Sequence, residues 1–94
     1  MHVLRQLGLN LRRARLTRGL SQENLAFEAT VAMIYVSGIE RGLRNPTVLV
    51  IHRLAIVLSL PIAELFAPVS HRDVLARNLK PGRRARGKSA MKTN

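Results

Sequence analysis

Residues 19–47 read GLSQENLAFEATVAMIYVSGIERGLRNPT, and this stretch decides the fold of the chain. Ser21 is a good N-cap for a short helix over residues 22–28, whose small apolar residues permit close helix crossing. A tight turn follows, and a second short helix over residues 32–41 is bounded by Gly42. The stretch therefore predicts two short helices joined by a tight turn.

Outward from this stretch the sequence predicts three more helices. Apolar residues recur at helical spacing over residues 3–18, and Gly19 then supplies the left-handed residue that commonly ends a helix. Thr47 caps a fourth helix that reaches residue 58, and Pro61 begins a fifth that closes at residue 66. Two short helices joined by a turn within an all-α bundle of five describe a helix-turn-helix domain.

The charge of the chain indicates a polyanionic partner. The 94 residues contain 16 Lys and Arg against 5 Asp and Glu, a formal net charge of +11. Nucleic acid is the first candidate for such a partner, and an anionic membrane surface is the second. No apolar run approaches the roughly 20 residues of a membrane span, and the arginine-rich start is unlike a secretory signal. The absence of cysteine suits the cytoplasm, where we expect the protein.

Composition divides the chain into three parts. We expect a folded domain over residues 1–67, a short helical extension over residues 68–79 and a disordered basic tail over residues 80–94. The tail is predicted to clamp duplex DNA nonspecifically, although RNA or membrane contact, or a purely solubilising role, remain open alternatives. Its predicted phosphate contacts are Lys80, Arg83, Arg84, Arg86 and Lys88.

The stretch already quoted, followed by LAIVLSLPIAELF, resembles the Cro/repressor-type (XRE) helix-turn-helix family. The usual family pattern is close to GLSQ-x-x-LA, then S-x-x-E-x-G-x-R-x-P, then a leucine-rich helix that ends in L-F. The resemblance covers residues 4–66 and implies a compact five-helix fold of the lambda-repressor type. It also implies a transcriptional regulator, with repression the favoured action, that binds double-stranded DNA specifically as a homodimer.

The resemblance implies a role for individual side chains. In the family the third helix enters the major groove, and its early exposed positions touch base edges. Helical geometry agrees, because Tyr35, Val36 and Ile39 fall on the opposite, core side. The implied base contacts are Met33, Ile34, Ser37 and Gly38.

Further positions match the family's DNA-backbone contacts and a structural ion pair. Arg15 and Glu40 match a pair that ties the first helix to the third. Two independent surface charges are the alternative for this pair. A solvated first-turn residue is the alternative for Gln22, and a solvated loop is the alternative for Arg41, Arg44 and Asn45. The implied backbone contacts are Gln22, Tyr35, Arg41, Arg44 and Asn45.

Two departures from the family pattern affect the start of the third helix. Thr30 stands where glycine is usual, and Ala32 stands where a small polar N-cap is usual, each at a cost of up to about 1 kcal/mol. Three means of recognising the DNA sequence remain: contact of Met33 and Ile34 with thymine methyl groups, a hydrogen bond from Ser37, and sequence-dependent DNA shape. The alternative function is a protein-interaction or antitoxin-like module with only nonspecific DNA affinity.

The fourth helix is apolar nearly all round, which indicates burial on more than one side. Leu49, Val50 and Ile56 stand where relatives place polar residues. Either the segment after Phe66 or a second copy of the chain covers them, and we favour a homodimer.

Catalysis and metal binding have little support in the sequence. Ser70, His71 and Asp73 lie together in a short predicted helix without a pocket, and no two histidines have the spacing of metal ligands. We therefore expect no enzyme activity, no metal and no cofactor.

Overall fold

The computed structural model describes residues 2–69, and within this range the chain is helical and contains no strand. Four α-helices come first: α1 Val3–Thr17, α2 Gln22–Ala29, α3 Met33–Glu40 and α4 Val48–Val57. A 3-10 helix, Ile62–Phe66, follows them. The predicted all-α fold is confirmed, and the bounds of the α-helices differ from the predicted ones by about one residue, the usual scatter at helix ends.

The fifth predicted helix is a 3-10 helix and not an α-helix. Pro61 has an extended backbone, with φ −66° and ψ 145°, and precedes the helix as its N-cap. The Glu64 N–H donates to the Pro61 carbonyl at 3.0 Å, an i to i+3 hydrogen bond that winds the tighter helix. The fold therefore has four α-helices and one 3-10 helix in residues 2–69. Residues 70–94, which contain the predicted tail and most of the predicted extension, lie outside the described residues.

Side-chain caps begin α2 and α4, as the sequence predicts. Ser21 Oγ accepts a hydrogen bond from the backbone N–H three residues on at 2.9 Å, and Thr47 Oγ1 does the same at 3.2 Å. Gly19 is left-handed, with φ 71°, directly after α1. Thr30, where the family has glycine, is also left-handed at φ 61°, and Ala32 makes no side-chain cap. Both predicted local weaknesses are therefore present at the turn before α3.

One apolar core joins all five helices. α3 packs on α1 and α2, α4 packs on α2, and the 3-10 helix packs on α1 and α4. α2 thus packs on α3 and α4, and α3 packs on α1 and α2, while one edge of α3 faces solvent. The buried core residues are Leu7, Leu11, Leu25, Ala26, Ala29, Val36, Ile39, Ile51, Leu54, Ala55, Leu58 and Leu65.

A buried amide fastens the end of the described chain to α1. The Asn10 side chain is 2% exposed, and its Nδ2 donates to the carbonyls of Leu65 at 3.0 Å and Ala67 at 2.8 Å. Gln6 Nε2, one turn earlier, donates to the Phe66 carbonyl at 2.6 Å. These bonds satisfy carbonyls that the short 3-10 helix leaves without a helical partner.

Gly8 allows α1 to lie directly against the C-terminal end of α3. A Cβ at this position would lie 2.4 Å from the Ile39 carbonyl oxygen and 2.6 Å from that of Glu40. Both atoms belong to the backbone and cannot rotate away as a side chain can. The distance between the two helices therefore depends on the absence of a side chain at Gly8.

Replacing Gly8 with alanine is expected to lower the free energy of unfolding by about 1–3 kcal/mol, because the added methyl group forces two packed helices apart. Helix propensity alone predicts the opposite sign, a gain of up to about 1 kcal/mol. Urea denaturation followed by circular dichroism measures the difference.

Gly38→Ala is the matched control, because Gly38 is the other glycine within a helix of residues 2–69. A Cβ there meets only the side chain of Arg44, which can rotate away. We expect this variant to be at least as stable as the parent. Equal stability of the Gly8→Ala variant and the parent would show that the contact with α3 is not tight.

Candidate nucleic-acid interface

α3 presents two apolar side chains to solvent in its first turn. Met33 is 50% exposed and Ile34 is 65% exposed, while Ser37 one turn later is half-buried. Val36 and Ile39 are fully buried on the opposite side, as the helical spacing predicts. The face predicted to touch DNA bases is therefore open at Met33 and Ile34 and partly open at Ser37.

Gly38 lies on the same side of α3 as Ile34 but is buried. The side chain of Arg44, from the loop after α3, lies across it. The base contact expected at Gly38 stays a prediction. Tyr35 is half-buried, and the Arg44 guanidinium carbon lies 5.6 Å from the centre of its ring. This is the range of a cation–π contact.

The ion pair between Arg15 and Glu40 is present and almost buried. Arg15 Nε lies 2.6 Å from Glu40 Oε2, and the two side chains are 9% and 3% exposed. Arg15 Nη2 donates to Glu40 Oε1 at 3.0 Å, so the contact is bidentate, and Nη1 donates to the Leu20 carbonyl at 2.9 Å. This geometry satisfies most of the donors of a guanidinium that has been removed from water.

Gln22 joins the same cluster from the start of α2. Its Nε2 donates to Glu40 Oε1 at 3.0 Å, which the sequence did not predict. One carboxylate at the end of α3 thus receives hydrogen bonds from both α1 and α2. The Gln22 side chain is held in place by a protein contact and is only half-buried.

The loop after α3 exposes basic and polar side chains. Arg41, Arg44 and Asn45 are all exposed, and Arg41 Nε makes a long hydrogen bond of 3.4 Å to the Ser37 carbonyl. All three lie within the five residues that follow α3, so the loop adds positive charge beside the open face. The predicted tail contacts, Lys80, Arg83, Arg84, Arg86 and Lys88, lie outside the described residues.

α4 has an exposed apolar face away from the core. Leu49 is 58% exposed and Ile56 is 62% exposed, while Val50 is half-buried and packs against the core cluster. Leu49 and Ile56 are two helical turns apart and therefore lie on one side of α4. Exposed apolar residues that form a patch indicate an interaction surface.

The described part of the chain offers no metal site and no membrane span. Among residues 2–69, no three His, Asp or Glu side chains lie close enough together to hold a metal ion. No helix in the same range is long and apolar enough to cross a bilayer.

Comparison with known proteins identifies the family. The helix-turn-helix family profile HTH_3 matches residues 11–65 of the chain. The chain belongs to this family. The family consists of non-enzymatic DNA-binding regulators, so the resemblance to XRE proteins and the expectation of no enzyme activity are both confirmed.

Individual relatives of this helix-turn-helix protein come from bacteria. An HTH-type transcriptional regulator of Sinorhizobium fredii, y4dJ, is 37% identical over 68 residues, covering 72% of this chain and 88% of the relative. The restriction-modification controller protein C.AhdI of Aeromonas hydrophila is 44% identical, with a TM-score of 0.66, and the match covers 67% of this chain and 96% of C.AhdI.

A third relative has been solved with DNA. The controller protein C.Esp1396I, a tetramer in complex with its natural 35 base-pair operator, is 29% identical to this chain. The TM-score is 0.64, and the match covers 70% of this chain and 87% of that protein.

Replacing Glu40 with glutamine is expected to lower the free energy of unfolding by about 3–5 kcal/mol, because Arg15 then remains buried without a counter-charge. Chemical denaturation measures the loss. The double variant Arg15→Met with Glu40→Leu serves as the control, and it should recover much of the lost stability because it leaves no buried charge. A loss below about 1 kcal/mol for Glu40→Gln would show that the pair behaves like a solvent-exposed one.

Proposed function

We propose that this protein is a sequence-specific regulator of transcription, a cytoplasmic homodimer that inserts α3 into the major groove of DNA and acts as a repressor. The observation that carries the proposal is the open edge of α3, with Met33 and Ile34 at its start and the exposed arginines Arg41 and Arg44 just beyond its end. A dimer seated across a promoter excludes other proteins from the same DNA, which is the simplest form of repression.

Direct contacts to bases come from the first two turns of α3. Met33 and Ile34 contact thymine methyl groups, and the hydroxyl of Ser37 exchanges a hydrogen bond with a base edge. Apolar contacts discriminate less sharply than bidentate hydrogen bonds, so sequence-dependent DNA shape contributes to the choice of operator. Family membership supports this docking, because helix-turn-helix proteins place the second helix of the motif in the major groove.

Contacts to the DNA backbone surround this helix. They come from Gln22 at the start of α2, from Tyr35 of α3 and from the loop residues Arg41 and Asn45. Such contacts set the register of the protein on the duplex but carry no sequence information themselves. Gln22 is well suited to this role because its bond to Glu40 already fixes its side chain before DNA arrives. The basic tail adds further phosphate contacts that do not depend on sequence.

Selection of bound duplexes from a random DNA pool by the full chain tests this function. We expect a short palindrome, bound at least about 1,000-fold more tightly than scrambled duplexes. Titration with salt should lower the logarithm of the association constant by about 0.9 for each phosphate neutralised, per tenfold rise in salt.

The second candidate function is a protein-interaction module, and the exposed apolar pair Met33 and Ile34 is the observation that favours it. In that case the selection recovers no preferred sequence, and all duplexes bind with similar affinity. This outcome would overturn the proposal of an operator-binding regulator.

The exposed face of α4 supports the homodimer. Leu49, Val50 and Ile56 would pack against the same residues of a second copy, as twofold symmetry requires. In such a dimer the two α3 helices meet half-sites one turn of B-DNA apart, about 34–36 Å.

Replacing Leu49 with glutamate is expected to raise the dissociation constant of the dimer at least about 30-fold, because an unpaired carboxylate would be buried in the interface. Operator affinity should fall with it. Sedimentation equilibrium measures the first effect and gel-shift titration the second. Leu16→Glu on α1, which changes a similarly exposed leucine, is the matched control and should leave the dimer intact. A dimer unchanged by Leu49→Glu would contradict this interface.

A further inference from the structure

The side chain of Arg44 lies along α3, although Arg44 itself belongs to the loop after that helix. A Cβ on Gly38 would stand 2.5 Å from Arg44 Cγ, 3.2 Å from Nε and 3.4 Å from Cδ. Nearly the whole aliphatic part of the arginine therefore crosses the helix at Gly38. Any other residue at position 38 would occupy the space that the arginine now fills.

The position of Gly38 puts this arginine beside the residues proposed to contact bases. Gly38 and Ile34 are four residues apart and share one face of α3, about 6 Å apart along the helix axis. Ile34 is one of the most exposed apolar residues of the helix. An arginine that crosses Gly38 thus lies on the face of α3 that continues from Ile34.

The guanidinium of Arg44 lies against an aromatic ring and has no carboxylate partner in the part of the chain that the structure describes. It lies 5.6 Å from the centre of the Tyr35 ring, and residues 2–69 contain no ion pair that involves it. A guanidinium offers five N–H donors in a planar fork, the geometry that matches the O6 and N7 atoms of guanine. The face of the Tyr35 ring contacts the guanidinium, and this contact does not use the N–H donors at its edge.

Arg41, three residues earlier, differs in each of these respects. Its Nε points back to the Ser37 carbonyl, at 3.4 Å, and no aromatic ring or glycine of the described chain positions it on α3. Two arginines of the same loop therefore have different surroundings. Arg41 suits a phosphate contact, whereas the placement of Arg44 suits a more specific one.

We propose that Arg44 reads a guanine in the major groove, and so supplies the arginine that α3 itself lacks. This inference rests on the proposed DNA-binding function and replaces the backbone contact expected for Arg44 from the sequence. Gly38 serves the same purpose indirectly, because its missing side chain makes room for Arg44. The operator half-site then contains a G·C pair about two base-pair steps or fewer from the thymine that Ile34 contacts, given the spacing along α3.

The test compares three variants of the full chain, Arg44→Ala, Gly38→Ala and Arg41→Ala, on the operator selected by the unchanged protein. Each is titrated against that operator and against duplexes in which single G·C pairs of the half-site are replaced. The unchanged protein should discriminate at one G·C pair by about 5- to 150-fold, the range expected of a bidentate contact. Thermal unfolding by circular dichroism establishes that each variant is folded.

Arg44→Ala and Gly38→Ala should each abolish discrimination at the same G·C pair and keep it elsewhere in the half-site. Gly38→Ala is the more specific test of where Arg44 lies, because it displaces the arginine side chain without removing its charge. Arg41→Ala should weaken binding to all duplexes by a similar factor and keep full discrimination at every position.

Three outcomes overturn the inference, wholly or in part, in distinguishable ways. If the unchanged protein selects an operator but Arg44→Ala weakens all duplexes equally, Arg44 contacts phosphate and only this inference fails. If the unchanged protein has no sequence preference, the proposed function fails together with the inference. Loss of discrimination in Arg44→Ala but not in Gly38→Ala would show that Gly38 does not position the arginine.

Discussion

The carboxylate of Glu40 is the point on which the arrangement of the first three helices depends. It lies at the end of α3 and accepts hydrogen bonds from Arg15 of α1 and from Gln22 of α2. Because the pair of Arg15 and Glu40 is almost fully removed from solvent, its net contribution to stability is small compared with the cost of removing one partner. Its effect is on geometry: the charges can be satisfied only when three helices meet in one arrangement.

The contact at Gly8 acts on the same end of α3. The backbone of α1 approaches the carbonyls of Ile39 and Glu40 so closely that a methyl group does not fit between them. Polar contacts and backbone packing therefore both position the C-terminal end of α3, while its first turn touches the core less. The core under Val36 and Ile39 then sets the rotation of the helix about its own axis. Together these constraints determine which side chains of α3 face solvent.

Much of the fold could be predicted from local rules. The caps at Ser21 and Thr47 and the left-handed Gly19 are short-range features, and each is present in the structure. The 3-10 form of the last helix could not be predicted in the same way. Its Leu65 carbonyl is bonded by Asn10, 55 residues away in the chain, and an isolated asparagine in an amphipathic helix gives no signal of such a contact.

The candidate site was less predictable than the fold for the same reason. Helical periodicity placed Gly38 on the open face, but periodicity describes only one helix and cannot show that a loop arginine lies across it. The bond from Gln22 to Glu40 likewise joins two helices whose contact only the tertiary structure defines. Residue types and spacing nevertheless pointed to Met33 and Ile34, because exposure at the start of a helix follows from its own pattern.

The two ends of α3 lie in different environments, and this difference affects which residues of such a protein can change over evolutionary time. Glu40 at one end is part of a buried network, whereas Met33 and Ile34 at the other end are exposed. Substitutions at exposed positions away from packed contacts usually alter stability by less than about 0.5 kcal/mol. New side chains at these two positions can therefore be sampled with little risk to folding, so the exposed surface of α3 can change in related proteins that keep one scaffold.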